Sequence, residues 1–247
     1  MKLMIMTRGR EGRQHTWNNL PPSLQAKTTI FAPPTERHPN MLPEPHPMDC
    51  SEKIQWMIDN HEGKFVMLDD DLRFCAPSGD GKLMNATPEQ IEAGFAMIEQ
   101  LLDEHPLVGL HPRAHGNTCK SPIEYNGRIT HLYGMNLDTI KPIKVDYFPI
   151  LADMYLNLTL LTKGHSTAVI CTLLFDWVGG SNAPGGCSIH RTWEQQKEAV
   201  LGLKESFPEF VTVKQKVTKN GWWGDKPRFD FIIQWKKAYE YGKNRTV

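Results

Sequence analysis

The chain has 247 residues and carries 28 Lys plus Arg against 28 Asp plus Glu, a formal net charge of zero. That length suits one α/β domain, and no composition shift or linker divides it. A neutral balance excludes a polyelectrolyte partner for nucleic acid taken as a whole, so any such surface must be local.

The opening "KLMIMTRGR" reads as a short buried strand, Leu3 to Met6, that delivers Thr7, Arg8, Gly9 and Arg10 at its carboxyl end. A short helix is expected near residues 14 to 25, and "KTTIFAPP" reads as a second strand closed by prolines. Six prolines between residues 33 and 47 predict an irregular surface loop over 33–50. "SEKIQWMIDNH" is a helix opened by Ser51, and "KFVMLDDD" a third strand, so the chain begins as βαβαβ. Thr87 followed by Pro88 caps a helix with Ile91, Phe95, Ile98 and Leu102 on one face, and "LVGLHPR" is the next strand.

Residues 128 to 146 read as β structure with turns, and Leu151 to Lys163 as an amphipathic helix stopped by Gly164. "STAVICTLLFDW" is an apolar strand. The glycine-rich stretch 178–188 is expected to be a mobile loop, and "RTWEQQKEAVLGLKESFPEF" the last clear helix. The tail 214–247 holds nine Lys or Arg against three acids, interleaved with Trp222, Trp223 and Phe229, and reaches strand-like "RFDFIIQW". Basic and aromatic residues together suit nucleotides, and a solvated surface hairpin has the same composition.

Cysteines 50, 75, 119, 171 and 187 are odd in number and form no C-x-x-C pair, which predicts reduced thiols rather than a disulfide framework or a cysteine zinc site. No apolar run approaches the ~18 residues of a membrane span, and the first is too short for a signal peptide, so a soluble cytoplasmic protein is expected.

The chemistry concentrates in "FVMLDDDLRF", where three carboxylates end a buried strand against self-repulsion and desolvation unless a cation binds there. Alternation along an extended segment sends Asp69 and Asp71 to one side and Asp70 to the other. A pair of aspartates suits Mg²⁺ or Mn²⁺ held jointly with a substrate phosphate. Arg8 and Arg10, at a neighbouring strand end, supply bidentate donors for a diphosphate or a uracil-like edge. A D-x-D after an apolar strand also occurs in metal-dependent phosphohydrolases and nucleotidyltransferases, which stay open as alternatives. "HPRAH" lacks the helical face a zinc pair needs, and Ser188 lacks a nucleophile elbow.

The order TRGR, MLDDDLRF, VGLHPR, LLTKG, GGCSIHRTWE, spread over roughly residues 2 to 240, resembles the TET-associated glycosyltransferases. These are GT-A-type enzymes, largely of bacteriophages, linked to sugar addition on hydroxymethylated pyrimidines in DNA. The resemblance implies a GT-A-like, Rossmann-like open mixed sheet flanked by helices in one domain. It implies a metal-dependent transfer from a nucleoside diphosphate sugar, foremost a UDP-sugar, to a hydroxyl on 5-hydroxymethylcytosine or a related base, in the host cytoplasm for a phage protein. A small-molecule or protein hydroxyl is the alternative acceptor.

Carried over by position, Thr7, Arg8, Gly9, Arg10, Asp69, Asp70 and Asp71 bind the donor, and Asp69, Asp71 and the late His190 hold Mn²⁺ or Mg²⁺. The acidic pair that opens the later helix in GT-A enzymes reads Ala152-Asp153 here, leaving Asp153 as general base or acceptor ligand. A carboxylate at a helix N-terminus also serves the macrodipole. Arg113, Lys214, Lys216, Lys219, Trp222 and Trp223 are the acceptor-binding candidates.

Overall fold

A computed structural model describes residues 1–78, 81–178, 185–186, 191–217, 224 and 226–245. In chain order its elements are β1 (Lys2–Met6), α1 (His15–Asn19), α2 (Pro22–Gln25), β2 (Thr28–Ala32), β3 (Met41–Pro43), α3 (Cys50–Asn60), β4 (Lys64–Asp69), β5 (Leu72–Pro77), β6 (Leu83–Asn85) and α4 (Pro88–Leu101). There follow β7 (Leu107–Pro112), a 3-10 turn (Arg113–Thr118), β8 (Ile123–Tyr125), β9 (Leu132–Asn136), α5 (Leu137–Ile140), α6 (Ala152–Thr162), β10 (Ala168–Trp177), α7 (Trp193–Ser206), β11 (Val211–Lys216), β12 (Arg228–Ile233) and α8 (Trp235–Lys243).

The main sheet runs β3-β2-β1-β4-β9-β7-β10-β5-β6, with β8 pairing β10 from the side. Strands β1, β2, β3, β4, β7, β10 and β6 point one way, while β9, β5 and β8 oppose them. It is therefore an α/β fold on a large mixed sheet of mostly parallel strands. Helices cover both faces, and the strand sequences show why. Leu3, Ile5, Val66 and Leu68 pack with Leu20, Leu24, Phe95 and Ile98 on one side. Met4, Phe65 and Met67 pack with Ile54, Met57, Leu156 and Leu160 on the other. A strand buried on both faces must be apolar throughout, as "LMI" and "FVML" are. No helix among the described residues is long and apolar enough to cross a membrane.

Several expectations need correction. The proline-rich stretch 33–50 is not wholly irregular, because Met41–Pro43 forms the edge strand β3 against β2. Pro43 is tolerated there because an edge strand leaves one row of amides unpaired. Helix α3 is capped by Asp49 rather than Ser51: Asp49 accepts from the Glu52 amide while the Glu52 carboxylate accepts from the Asp49 amide. The Pro21-Pro22 pair splits the expected 14–25 helix into α1 and α2. Cys50 is disulfide-bonded, against the expectation of reduced thiols throughout, while Cys75, Cys119 and Cys171 are free.

Thr87 caps α4 in a capping box with Gln90, as expected. After β12 the chain forms a further helix, α8, on α6 rather than ending in a strand. Gly242 permits this contact, since a Cβ there would lie 2.3 Å from the Leu161 carbonyl oxygen. Leu203, Phe210 and Ala238 join α6, α7 and α8 into a third apolar cluster beneath the β11–β12 hairpin.

Candidate functional site

Strands β1 and β4 are parallel neighbours with Met6 opposite Asp69, so their carboxyl ends lie side by side. Open α/β sheets gather ligands at that edge. Strand β4 stops at Asp69, and Asp70 and Asp71 turn the chain into β5. Strict alternation past Asp69 is therefore lost, and the three carboxylates have three different fates.

Asp70 is the inner one, 3 % exposed. It accepts hydrogen bonds from Thr7 Oγ1 and from the Arg10 guanidinium. Burial pushes its pKa up to about 6 although Arg10 and Thr7 pull it down. Arg10 also donates to Asp71 Oδ2 at 2.8 Å. The Arg10 guanidinium is thus turned inward on two aspartates, and the arginine of this turn that pairs elsewhere is Arg8. Asp71 titrates above the ordinary carboxylate range, first through burial and then through the charge of Asp69. Its Oδ1 is buried and has no hydrogen-bond partner among the described residues.

The proline-rich segment fixes the basic turn. Arg8 Nη2 lies 2.7 Å from Glu44 Oε2, and Lys53 Nζ lies 2.5 Å from Glu44 Oε1. Lys53 also donates to the Thr7 carbonyl at 2.9 Å, and the Gly9 amide donates to Glu36 Oε1 at 2.6 Å. Burial lowers the Lys53 pKa against the pull of Glu44. Glu36 and Glu44 come from the stretch that the sequence suggested was only a surface loop, and they hold the turn that bears Thr7 to Arg10.

Sequence reasoning missed His131. The β4–β9 ladder pairs Leu68 with Leu132 antiparallel, so the next position places His131 beside Asp69. The Asp69 amide donates to the His131 carbonyl at 2.9 Å, and Nδ1 lies 2.6 Å from Asp69 Oδ2. The imidazole stacks on Trp177 with centroids 5.2 Å apart and planes 14° apart. Burial opposes protonation of His131, but the bond to Asp69 and its charge outweigh that, leaving the pKa raised. His131 adopts a left-handed backbone, φ +64°. A polar residue opening an apolar strand, "HLYGM", was the available signal.

Asp153 lies in the first turn of α6. Burial raises its pKa, while the nearby charges of Arg128 and His131 lower it. It stands within electrostatic reach of Asp69 and His131, outside the cavity wall itself. Arg191 feels Asp153 in turn, and its Nε is buried with no partner among the described residues.

A cavity of about 470 Å³ opens at this edge, walled by Arg8, Asp69, Asp71, His131, Gly185 and Arg191 among others. Its volume falls in the range of small-molecule sites. Gly185 and Gly186 lie on the arginine turn: the Gly186 amide donates to the Arg8 carbonyl at 2.8 Å. A Cβ on Gly185 would come 2.7 Å from Arg10 Cγ, and its φ of +97° excludes most side chains. The rest of the 178–188 stretch apart from Val178, and the candidate ligand His190, lie outside the described residues.

The acceptor candidates are divided. Lys214 and Lys216 are exposed on β11. Lys216 pairs with Asp230 at 3.2 Å, and Arg228 pairs with the same carboxylate at 3.1 Å. The hairpin is tied to α7 by the Trp193 indole, which donates to the Pro227 carbonyl at 2.8 Å and meets Phe229 edge-on. Gln195 of α7 reaches the cavity wall. Arg113 lies on another flank, 3.2 Å from Asp176, the residue before Trp177. Lys219, Trp222 and Trp223 lie outside the described residues.

A divalent cation fits Asp69 and Asp71: two carboxylates press on each other, both line the cavity, and one carries an orphaned oxygen. Hard oxygen donors of this kind suit Mg²⁺ and Mn²⁺. Compared with protein-family models and with curated proteins, the chain matches none.

Proposed function

We propose that the cavity binds a nucleoside diphosphate sugar and transfers its sugar to a hydroxyl acceptor, in a GT-A-type fold. The observation that carries this reading is the buried, partnerless Asp71 Oδ1 beside Asp69 at the carboxyl edge of parallel strands. A site that keeps two carboxylates close while leaving one oxygen unsatisfied is built for a cation that arrives with its ligand. Asp69 and Asp71 would hold Mn²⁺ or Mg²⁺, which when bound offsets charge on the leaving diphosphate. The turn from Thr7 to Arg10, fixed by Glu36, Glu44 and Lys53, positions the nucleotide.

The acceptor oxygen forms its bond to the anomeric carbon as the bond from that carbon to the diphosphate oxygen breaks. The acceptor's proton passes to Asp153, which opens α6 within electrostatic reach of Asp69 and His131 and which, among the described residues, neither Arg10 nor His131 holds in a hydrogen bond. The acceptor we favour is a hydroxymethylated pyrimidine in DNA, as in the TET-associated glycosyltransferases that the sequence resembles. The exposed basic hairpin beside α7 supports it.

Mass spectrometry of hydroxymethylated DNA, after incubation with a panel of nucleotide sugars and Mn²⁺, tests the proposal. The expected result is one sugar mass added per modified base, lost in Asp153→Asn. Release of phosphate or monophosphate without sugar on any acceptor would make the protein a phosphohydrolase instead.

A further inference from the structure

Along the edge of β10 that faces away from β7, beyond the end of the β5 ladder, three ligating side chains converge that the proposed reaction does not use. Strand β8 pairs antiparallel with β10, placing Glu124 opposite Val169. Cys171 lies two residues beyond Val169 and so shares its face of the strand. The Cys171 amide donates to the Pro122 carbonyl at 2.8 Å, keeping β8 in register at this point. Cys119 follows the 3-10 turn, its amide bonded to the Gly116 carbonyl. As a result Cys119 Sγ, Cys171 Sγ and a Glu124 carboxylate oxygen all lie within 4.8 Å of one another. A separate cleft of about 520 Å³ opens above them, walled by Asn117, Lys120, Ser121 and Thr172 among others.

We infer that Cys119, Cys171 and Glu124 form a zinc site. Zinc bonds of about 2.3 Å to sulfur and about 2.0–2.2 Å to oxygen place tetrahedral ligands roughly 3.5–3.8 Å apart, so the side chains need only a small closure. Two thiolates select zinc over the hard Mg²⁺ and Mn²⁺. The fourth position faces the cleft, where water completes the tetrahedron. Binding displaces one proton from each thiol, so affinity rises with pH. The ion would join two segments distant in sequence, the stretch from Cys119 to Glu124 and strand β10, at the point where the β10–β7 register shifts between Ile170 and Leu174.

The test is titration of Co²⁺ into the full chain, first stripped with chelator and kept reduced. One equivalent should produce a thiolate-to-cobalt charge-transfer band that one equivalent of Zn²⁺ abolishes. Cys119→Ser, chosen because Cys119 is half-exposed, should lose the band while its metal-free melting temperature matches that of the parent. Glu124→Gln should keep a band of weakened affinity. The Asp69→Asn/Asp71→Asn protein should retain the full band, separating this site from the cavity at the other edge. Absence of the band in the parent, its persistence in Cys119→Ser, or isolation of the protein with Cys119 and Cys171 joined as a disulfide would overturn the assignment.

Discussion

The carboxyl edge of β1 and β4 and the β11–β12 hairpin both carry basic side chains paired with carboxylates, yet the fold treats their charges in opposite ways. At the edge, the Lys53 and Glu44 side chains are 5 % and 0 % exposed and lie 2.5 Å apart. In the hairpin, Lys216 and Asp230 are 60 % and 28 % exposed and 3.2 Å apart. A pair removed from water must be nearly complete to persist, because each lost partner strands a buried charge. A pair in water is screened and nearly dispensable. The edge is therefore a rigid frame with one carboxylate oxygen left over, whereas the hairpin presents charge that a partner can still neutralise.

The sharpest break in that comparison is Asp71→Asn. If the leftover oxygen is the metal's place, Mn²⁺-dependent binding of a nucleoside diphosphate should vanish in calorimetry. Stability should hold or rise, because the change removes the repulsion with Asp69 and the cost of burying a charge. Metal-dependent binding at parental affinity would assign Asp71 to the frame instead.

Next comes Lys53→Met, which takes one of two cationic partners from buried Glu44, leaving Arg8 and the Met48 amide, and removes the donor to the Thr7 carbonyl. Loss of one member of a buried pair costs about 3–5 kcal/mol. Lys216→Met, the matching change in the hairpin, should stay within about 1 kcal/mol. Urea denaturation of both variants reads the contrast directly, and equal losses would erase the distinction between the two regions.

Titration exposes the frame from another side. Asp70 has a folded pKa of about 6, above the ordinary carboxylate value, so the folded chain holds its proton more tightly than the unfolded chain. Its contribution to stability is greatest in acid and declines as pH rises from about 4 to about 6, then levels. His131 is also raised, so its contribution is present below about 6.5 and is lost as pH rises through the folded value. Chemical denaturation in chelator at stepped pH should show the decline between pH 4 and 6 flattened in Asp70→Asn and retained in Lys216→Met. A decline unchanged in Asp70→Asn would assign it to other groups.

What the sequence disclosed follows the range of the interactions. Apolar runs on both faces announced β1, β2 and β4, and the Thr87-Pro88 signature announced α4, because strand burial and helix capping are local patterns. The placing of Arg8 and Arg10 at a strand end next to the aspartates followed from the same logic. The direction of the Arg10 side chain did not, since it depends on Asp70 and Asp71 some sixty positions away. His131 was hidden for that reason too: its partner is set by the β4–β9 register, which no spacing rule encodes. The search for C-x-x-C pairs likewise passed over Cys119 and Cys171, brought together by the path of β10. The proline count over 33–50 signalled irregularity correctly for much of the segment but concealed two buried acids whose value lies in the turn they hold.

The smallest expected effect lies in the hairpin. Lys214 and Lys216 are exposed and lie two residues apart on β11, so they project from the same face of the ribbon. If that face meets the phosphates of an acceptor duplex, each contact releases counterions and contributes about 0.9 to the slope of log affinity against log salt. Replacing both with alanine should then flatten the slope by up to about 1.8, nearly independently of sequence, with a stability change within about 1 kcal/mol. The release of Asp230 from Lys216 works in the same direction, since an uncovered carboxylate beside the duplex repels phosphate, while Arg228 continues to screen it. Fluorescence anisotropy of hydroxymethylated and unmodified duplexes across a salt series separates the parts of this argument. A slope unchanged on both duplexes would show that the hairpin charges face water rather than DNA. The edge cavity would then have to find its acceptor from another direction, with the flank of Arg113, paired to Asp176, and Trp177, stacked on His131, as a basic and aromatic candidate.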